Sequence, residues 1–113
     1  MKNEYTFRYA VEEDILVIQQ PGKIEHSLDI GNFIVDFDEE DRIRGIEILD
    51  ISSVLGNLGI KNAKEILRSI DSASLKVESY FSDLMVYYFI NSRHGKVSST
   101  ITVSREMLTP AEA

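Results

Sequence analysis

The sequence predicts an α+β fold built on antiparallel β-meanders, with about six to seven strands and one main helix at about 62–71. Apolar and polar residues alternate over much of the first fifty residues and again after residue 72, which is the period of a half-buried strand. Between these regions, apolar residues recur at helical spacing. The length of 113 residues and the hydrophobic content of 43% suit one domain with one core, spanning 1–113.

Four segments divide this domain. Residues 1–50 form an acidic N-terminal β-meander, 51–71 a helical segment, and 72–104 a C-terminal β-meander. The tail, 105–113, is polar and contains Pro110, which cannot lie inside a strand, so we expect the tail to fray.

The N-terminal meander begins with two strands. Tyr5, Phe7 and Tyr9 alternate with smaller or polar residues, which is typical of a strand. Residues 12–14 are acidic and form a turn. Residues 15–18 are apolar at every position, so this second strand is expected to be central and buried on both faces.

Turn residues separate the strands that follow. The Pro-Gly pair at 21–22 ends the buried strand, and 23–29 form a loop or a short edge strand. Residues 33–38 and 43–49 alternate again and indicate a hairpin, whose tip is the acidic sequence at 38–41.

The pattern then changes to helical spacing. Residues 50–58 are weakly helical, and Gly59 suits the end of that turn because it takes positive φ without a steric clash. Asn62 and Glu65 match a capping box at the start of the main helix, 62–71. One face of this helix is apolar and is expected to lie on a sheet.

Three further strands complete the chain. Residues 75–81 alternate, and 82–83 are predicted to be a two-residue hairpin loop. Residues 84–90 are apolar on both faces and indicate another central strand. After a turn at 91–96, residues 97–104 alternate with one wet face.

The charge is negative and unevenly distributed. The net charge is −7; residues 1–50 hold 13 acidic and 5 basic residues (−8), and residues 51–113 hold 6 and 7 (+1). Because phosphate affinity comes from clustered Lys and Arg, we expect no nucleic-acid partner. The acidic half suits a basic protein partner, a cation, or simply a solvated surface.

Composition excludes several other classes. With no cysteine, the chain has no disulfide, no thiolate zinc site and no Cys nucleophile, and we expect a cytoplasmic protein. The longest apolar run, 84–90, is far shorter than the ~18 residues of a membrane span, so no membrane association is expected. The first residues lack the pattern of a signal peptide.

The sharpest constellation of acids is Asp36, Asp38, Glu40 and Glu47. Their spacing matches positions 1, 3, 5 and 12 of a calcium-binding EF-hand loop. However, position 6 is Asp41 instead of the required Gly, and the flanks are strands instead of helices. These residues are therefore weak candidates for a metal site, and an ordinary charged hairpin tip that discourages edge pairing is the simpler interpretation.

No pattern indicates catalysis or a cofactor. His26, Ser27 and Asp29 offer the residue types of a triad, but without a nucleophile elbow. His26 and His94 are expected to be exposed and without a catalytic role. No phosphate-binding or dinucleotide fingerprint is present. We therefore predict no catalytic residue and no cofactor, and an enzyme is the less favoured class.

Aromatic residues cluster in the C-terminal meander, at Tyr80, Phe81, Tyr87, Tyr88 and Phe89. Such residues can form a stacking platform for single-stranded nucleic acid, but that needs basic neighbours. A core with a cross-strand aromatic ladder is the alternative. Because one helix cannot cover both apolar faces of this meander, the second face is covered by the N-terminal meander or by another copy of the chain, and we expect a homo-oligomer.

The N-terminal half resembles a family known as domain of unknown function family 2283, over roughly residues 5–55. Family members typically show an early strand of the type Y-x-x-x-x-D-x-L-x-I and a later stretch like V-D-Y-D-x-x-G-R-I-V-G-I-E-I-L-D-A-S. The matching positions are Tyr9, Asp14, Leu16, Ile18, Val35, Asp36, Asp38, Arg42, Ile43, Gly45, Ile46, Glu47, Ile48, Leu49, Asp50 and Ser52.

The chain departs from the family at Asp41, which stands where the family has a turn glycine, and at Val17, which replaces a common tyrosine. Asp tolerates the left-handed region better than most residues. The resemblance implies a small β-rich fold without a known activity, and an antitoxin-like or partner role. Residues 56–113 extend beyond the usual family member.

Together these patterns favour a small acidic, non-catalytic protein-interaction module that self-associates. The alternative is a protein that binds a cation or a small ligand at the acidic hairpin tip, 36–41.

Overall fold

Eight strands in two antiparallel sheets, with two short helices, form residues 4–107, which are the part of the chain that the computed structural model describes, apart from the side chain of Met107. The α+β class is confirmed. Five strands instead of three or four form in the N-terminal half, so the total is eight. The order is β1 Thr6–Ala10, β2 Ile15–Gln19, β3 His26–Ile30, β4 Phe33–Phe37, β5 Ile43–Leu49, α1 Ile51–Asn57, α2 Ala63–Leu67, β6 Ile70–Tyr80, β7 Asp83–Ser92, β8 Gly95–Ser104 and a 3₁₀ turn Arg105–Met107.

The first sheet has the strand order β1-β2-β5-β4-β3, with every neighbouring pair antiparallel. β5, which is the last of these five strands in the sequence, therefore lies in the centre of the sheet. Ile46 of β5 pairs with Ile18 of β2 on one side and with Val35 of β4 on the other. Residues 23–29, predicted as a loop or an edge strand, supply the edge strand β3.

The second sheet is a simple meander, β6-β7-β8, with β7 in the centre as predicted. Buried and half-buried residues alternate along the whole of β7. Leu84, Val86, Tyr88 and Ile90 face inward, and the opposite face of the strand is half-exposed.

The core lies between the two sheets. The inner face of β7 packs against the first sheet, where the rings of Phe33 and Tyr88 lie 5.9 Å apart, and β6 lies against β1 and β2. Ile51 and Leu55 of α1 are fully buried in the same cluster. The N-terminal sheet is thus the cover that the C-terminal meander was expected to need on its inner face.

The helical region is shorter than predicted. The helix expected at 62–71 is α2, Ala63–Leu67, because residues from Ile70 onward pair with β7 instead of continuing the helix. The Ser69 hydroxyl donates to the Glu65 carbonyl oxygen (2.7 Å) at this transition. The capping box is wrong: the Asn62 side chain makes no cap bond, and its Nδ2 donates to the His94 carbonyl oxygen (3.1 Å).

Two turns differ in detail from the sequence prediction. Tyr80 pairs with Asp83, so the β6–β7 turn is Phe81-Ser82 and not 82–83. At the β4–β5 tip, Asp41 adopts a φ of 60°, which is the left-handed conformation expected where the family has glycine.

No helix in the described residues is long and apolar enough to cross a membrane. The frayed tail predicted at 105–113 falls mostly at 108–113, which lies outside the described residues; before it, Arg105–Met107 forms the 3₁₀ turn.

Candidate functional site

Asp14 joins the first hairpin to the first helix. Its Oδ1 accepts a bond from the Tyr9 hydroxyl (2.7 Å), and its Oδ2 accepts bonds from the Ser52 hydroxyl (2.6 Å) and the Ser52 backbone N–H (3.2 Å). Desolvation alone raises the pKa of Asp14, but the bonds from Ser52 and Tyr9 outweigh it and lower the pKa. Burial and the same bond raise the pKa of Tyr9 to about 12. Asp14 therefore joins the acidic turn at 12–14 to β1 and to the start of α1.

Asp38 holds the β4–β5 hairpin in the same way. Its Oδ1 accepts the backbone N–H groups of Glu40 and Arg42 (both 2.9 Å), and its Oδ2 accepts Nε of Arg42 (3.1 Å) and of Arg44 (3.2 Å). The backbone bond from Arg42 is the main reason why the pKa of Asp38 is lowered to about 2. Both oxygens of this buried carboxylate are thus occupied by the protein's own donors.

Asp36 lies in β4 between the core residues Val35 and Phe37, so its side chain is on the outer face of the first sheet. It is only 3% exposed, and its Oδ1 accepts a 2.6 Å bond from the Ser27 hydroxyl of β3. Because Asp36 pairs with Gly45 and Ile34 pairs with Glu47, the two acids are diagonal neighbours. Burial, and then the charge of Asp36 and a hydrogen bond with it, raise the pKa of Glu47.

The four weak metal candidates are therefore split between two places. Asp36 and Glu47 contact each other on the outer face, whereas Asp38 and Glu40 contact Arg42, which lies 2.8 Å from Glu40 Oε1. Across residues 4–107, no group of three or more His, Cys, Asp or Glu side chains is arranged to hold a metal ion. The EF-hand spacing is real in the sequence, but the hairpin separates its members.

His26 belongs to β3 of the first sheet, and His94 to the turn between β7 and β8 of the second sheet. His26 is exposed, stacks on Phe37 (ring centroids 5.0 Å apart) and lies 3.5 Å from Asp41. His94 is exposed in the β7–β8 turn, as predicted. Ser27, the other residue of the apparent triad, donates to Asp36 and not to His26.

The two acidic turns lie at opposite ends of the first sheet, which the sequence could not decide. Ile15, just after the first turn, pairs with Leu49, whereas Gln19 pairs with Gly45 near the hairpin tip. The tip contains a cavity of about 130 Å³ with a mixed lining that includes Glu25, Glu40, Arg42 and Arg44. Since Asp38 and Glu40 already pair with these arginines, the cavity offers no strong single-sign field.

The most unusual surface is the tip of the β6–β7 hairpin. Phe81 is 97% exposed and Tyr80 is 59% exposed, and their rings make an edge-to-face contact with centroids 5.9 Å apart. Phe81 also has a φ of 53°, in the left-handed region that bulky residues avoid. Both residues belong to the aromatic cluster of the sequence, for which a stacking platform and a core with a cross-strand ladder were the two expectations. A one-residue error in the turn concealed the exposed position of Phe81.

Beside this tip, a groove opens between the two sheets. Its volume is about 420 Å³, and its apolar wall includes Ile43 of the first sheet and Leu75, Val77 and Leu84 of the second. Val77 is on the inner face of β6, like Leu75, yet it is 38% exposed. The end of the β6–β7 hairpin therefore projects beyond the first sheet, and the inner face of this hairpin is partly exposed there. Basic side chains also line the groove, namely Arg42, Lys76 and Arg105.

The last strand, β8, forms one edge of the second sheet. It is ten residues long and, among the described strands, pairs only with β7. Its only charged residue is Lys96. Long edges with few charges are a recognised place for strand addition, so β8 is a second candidate for contact with another chain.

The fold and these contacts define a small two-sheet α+β protein whose most distinctive polar residues hold its own turns and helix. A family model described as "Protein of unknown function (DUF2283)" matches residues 7–52, so the resemblance of the N-terminal half is confirmed. No curated protein and no solved structure matches the chain.

The matched segment has a clear structural content. It contains the five strands of the first sheet, apart from Thr6 of β1, and ends at Ser52. Ser52 donates to Asp14, which also accepts a bond from Tyr9, so these contacts join the two ends of the segment. Asp38 and Arg42 contact each other as well. Residues that carry the resemblance are thus engaged with one another, and the exposed aromatic tip lies outside the matched segment.

Proposed function

We propose that this protein is a non-catalytic protein-interaction module whose binding surface is the tip of the β6–β7 hairpin, Tyr80 and Phe81. One observation carries the proposal: an almost fully exposed aromatic side chain in an unfavourable backbone conformation. Exposed single apolar residues are ordinary, and the other large ones here are 36–59% exposed. Phe81 is 97% exposed, far more than any of these residues.

The local physics does not require a Phe at this position. Gly or Asn adopts a positive φ at lower cost, and a polar residue is better solvated in a turn. Aromatic side chains, however, are the most enriched anchors at the centres of protein interfaces. A binding partner that buries the ring accounts for both the exposure and the residue type.

The experiment compares two variants. The double variant Tyr80→Ser/Phe81→Gly removes the aromatic tip, and Val11→Ser removes an exposed apolar residue (49%) in the β1–β2 turn. Association is measured by analytical ultracentrifugation of the purified protein and by affinity purification of tagged protein from its native cells. We expect loss of association in the double variant and none in Val11→Ser.

Equal association of the wild type and the double variant, in both assays, overturns the proposal. So does the complete absence of association in the wild type.

Three further predictions accompany this proposal. A basic partner of the acidic half rests on charge, an antitoxin-like role rests on the family resemblance, and a cytoplasmic location rests on the lack of cysteine. The alternative cation-binding role has no geometric support in the described residues, since both carboxylate oxygens of Asp38 already accept hydrogen bonds from the protein's own donors.

A further inference from the structure

We infer that the partner of the hairpin tip is a second copy of this chain, and that each Phe81 inserts into the groove beside the other copy's tip. This inference rests on the proposed function, because it names the partner of the same surface. It joins two features that lie at one end of the molecule: an exposed aromatic ring and an open apolar groove of about 420 Å³.

The groove suits an aromatic ring in size and chemistry. An apolar cavity of ~150 Å³ is enough to bind benzene, so this groove accommodates a Phe side chain with room for part of Tyr80. Leu75, Val77 and Leu84 give it an apolar wall. Lys76 and Arg105 also line it, but they already contact Glu78 (3.1 Å) and Ser79 (2.7 Å), so the apolar wall is the part that receives the ring.

The arrangement is self-complementary. The groove is lined by Ser79 and Leu84, which flank the tip residues in the same hairpin, so tip and groove are neighbours. A two-fold axis passing near Ser79 therefore carries each tip to the other groove. Such an isologous contact closes on itself and yields a dimer, not a filament.

The charge of the groove is less negative than that of the chain as a whole. Three basic residues (Arg42, Lys76 and Arg105) and one acid (Asp41) line it, whereas residues 1–50 carry −8. A contact at this groove therefore meets less repulsion than a contact elsewhere on the acidic half of two chains of net charge −7.

The surface is large enough for a stable dimer. Phe81 is 97% and Tyr80 59% exposed, and an aromatic side chain buries ~150–250 Å², so the four rings of two copies supply roughly 500–800 Å². Because the groove walls lose a similar area to the rings that they receive, the sum is roughly 1,000–1,600 Å². Stable interfaces bury ~1,200–2,000 Å² in total.

The direct test is photo-crosslinking. A benzoylphenylalanine placed at position 81 keeps the aromatic ring, and mixing ¹⁵N-labelled with unlabelled chains identifies crosslinks between copies. We expect intermolecular crosslinks to the groove, at Leu75, Val77 or Leu84. The same group at position 11, in place of Val11, is the control and should give no crosslink between copies.

Two variants separate this inference from the proposed function. Phe81→Gly should weaken dimerisation by ~10-fold or more, as expected for loss of a central aromatic anchor. At a concentration where both proteins are monomers, it should unfold at a higher temperature than the wild type. Thr100→Lys, which places a charge on the β8 edge, should leave dimerisation unchanged.

Three results overturn the inference. If Thr100→Lys abolishes the dimer and Phe81→Gly does not, copies pair through β8. If the wild type is a monomer by ultracentrifugation but the tip captures a different protein, the tip is a binding surface and its partner is not this chain. Crosslinks from position 81 only within its own chain also contradict the insertion.

Discussion

Among residues 4–107, four residues other than glycine have a left-handed φ, and their identities divide them into two groups. Asp14, Asp41 and Asp50 are aspartates, which tolerate this region because the short polar side chain bonds locally. Phe81 has no such compensation. Its conformation therefore costs free energy that the turn itself does not recover.

Replacing Phe81 by Gly should consequently stabilise the isolated fold. Because the left-handed conformation costs an L-residue roughly 1–2 kcal/mol, we expect Phe81→Gly to raise the free energy of unfolding by about 1 kcal/mol, measured by urea denaturation at low protein concentration. Ser82→Gly is the control; it has no positive φ to relieve and should not stabilise. A loss of stability in Phe81→Gly contradicts this account of the turn.

Gly45 illustrates a different requirement, which is space. A Cβ at this position would lie 2.6 Å from Gln19 Cβ and 2.7 Å from the backbone oxygen of Ile18. Since backbone cannot move aside cheaply in the centre of a sheet, we expect Gly45→Ala to lower the free energy of unfolding by ~1–3 kcal/mol.

The matched substitution is Gly56→Ala in α1. Apart from its chain neighbours and the backbone of α1 itself, nothing lies within 4 Å of an added Cβ there. Because Ala is the better helix former, this variant should be neutral or stabilising by up to ~1 kcal/mol. Equal effects of the two substitutions, measured by thermal unfolding, would falsify the steric explanation.

At the scale of elements, helix α1 begins without a cap of its own. Its N-cap residue, Asp50, is left-handed and makes no side-chain cap bond. Instead, the N–H of Ser52 donates to the carboxylate of Asp14, which lies 38 residues before Ser52 in the chain. This contact places a negative charge at the N-terminus of the helix. The start of α1 is thus fixed by the β1–β2 turn.

Asp14→Asn tests this long-range cap. Asn keeps the left-handed tolerance and the shape but loses the charge and one acceptor oxygen, so we expect a loss of about 1 kcal/mol in the free energy of unfolding. Asp50→Asn changes the same residue type without a cap bond and should stay within about 0.5 kcal/mol of the wild type. Equal losses in the two variants argue against the cap.

The free energy of unfolding should depend on pH because of Asp38 in the β4–β5 hairpin. The pKa of Asp38 is lowered from 3.8 to about 2, so the folded state binds this proton less readily than the unfolded state. The resulting stabilisation is fully present above pH 3.8 and is lost as the pH falls through about 2. The lowered pKa of Asp14 acts in the same direction.

The variant Asp38→Asn should therefore unfold at a temperature several degrees lower at pH 7, with a difference that shrinks on acidification towards pH 2. Thermal unfolding followed by circular dichroism at several pH values measures this. Glu39→Gln is the control, since Glu39 adjoins the same turn without these bonds. A difference that does not depend on pH contradicts the role given to the Asp38 charge.

Sequence patterns predicted these elements well where the pattern is local. The period of two predicted β1, β4, β5, β8 and the second half of β6, and continuous apolar runs predicted the central strands β2 and β7. The helix was predicted too long, since Ile70 fits both a helical stripe and a strand, and only pairing with β7 decides between them. The partners of Asp14 and Asp38 were missed because hydrogen bonds across turns leave no periodic signal.

For the whole molecule, the charge imbalance separates two kinds of association. Two copies of net charge −7 repel each other, and salt screens that repulsion over ~8–10 Å. A basic partner of residues 1–50 would be attracted by the same charges, and salt would weaken its binding to the protein.

Salt should therefore act in opposite directions. Raising the salt from about 0.05 M to about 0.5 M should strengthen a dimer formed through Phe81 and weaken the binding of a basic protein, as measured by sedimentation. The variant Phe81→Gly is the control for the first effect. A dimer that dissociates as salt rises would indicate that the acidic half forms the contact.

The central position of β5 constrains how the chain can acquire its structure during synthesis. Hairpins β1–β2 and β3–β4 are local, but an isolated two-stranded hairpin is marginally stable in water. Only β5 pairs with both β2 and β4. A nascent chain that has not yet released residues 43–49 from the ribosome therefore holds two uncommitted hairpins. Their union into one cooperative sheet waits for that single strand.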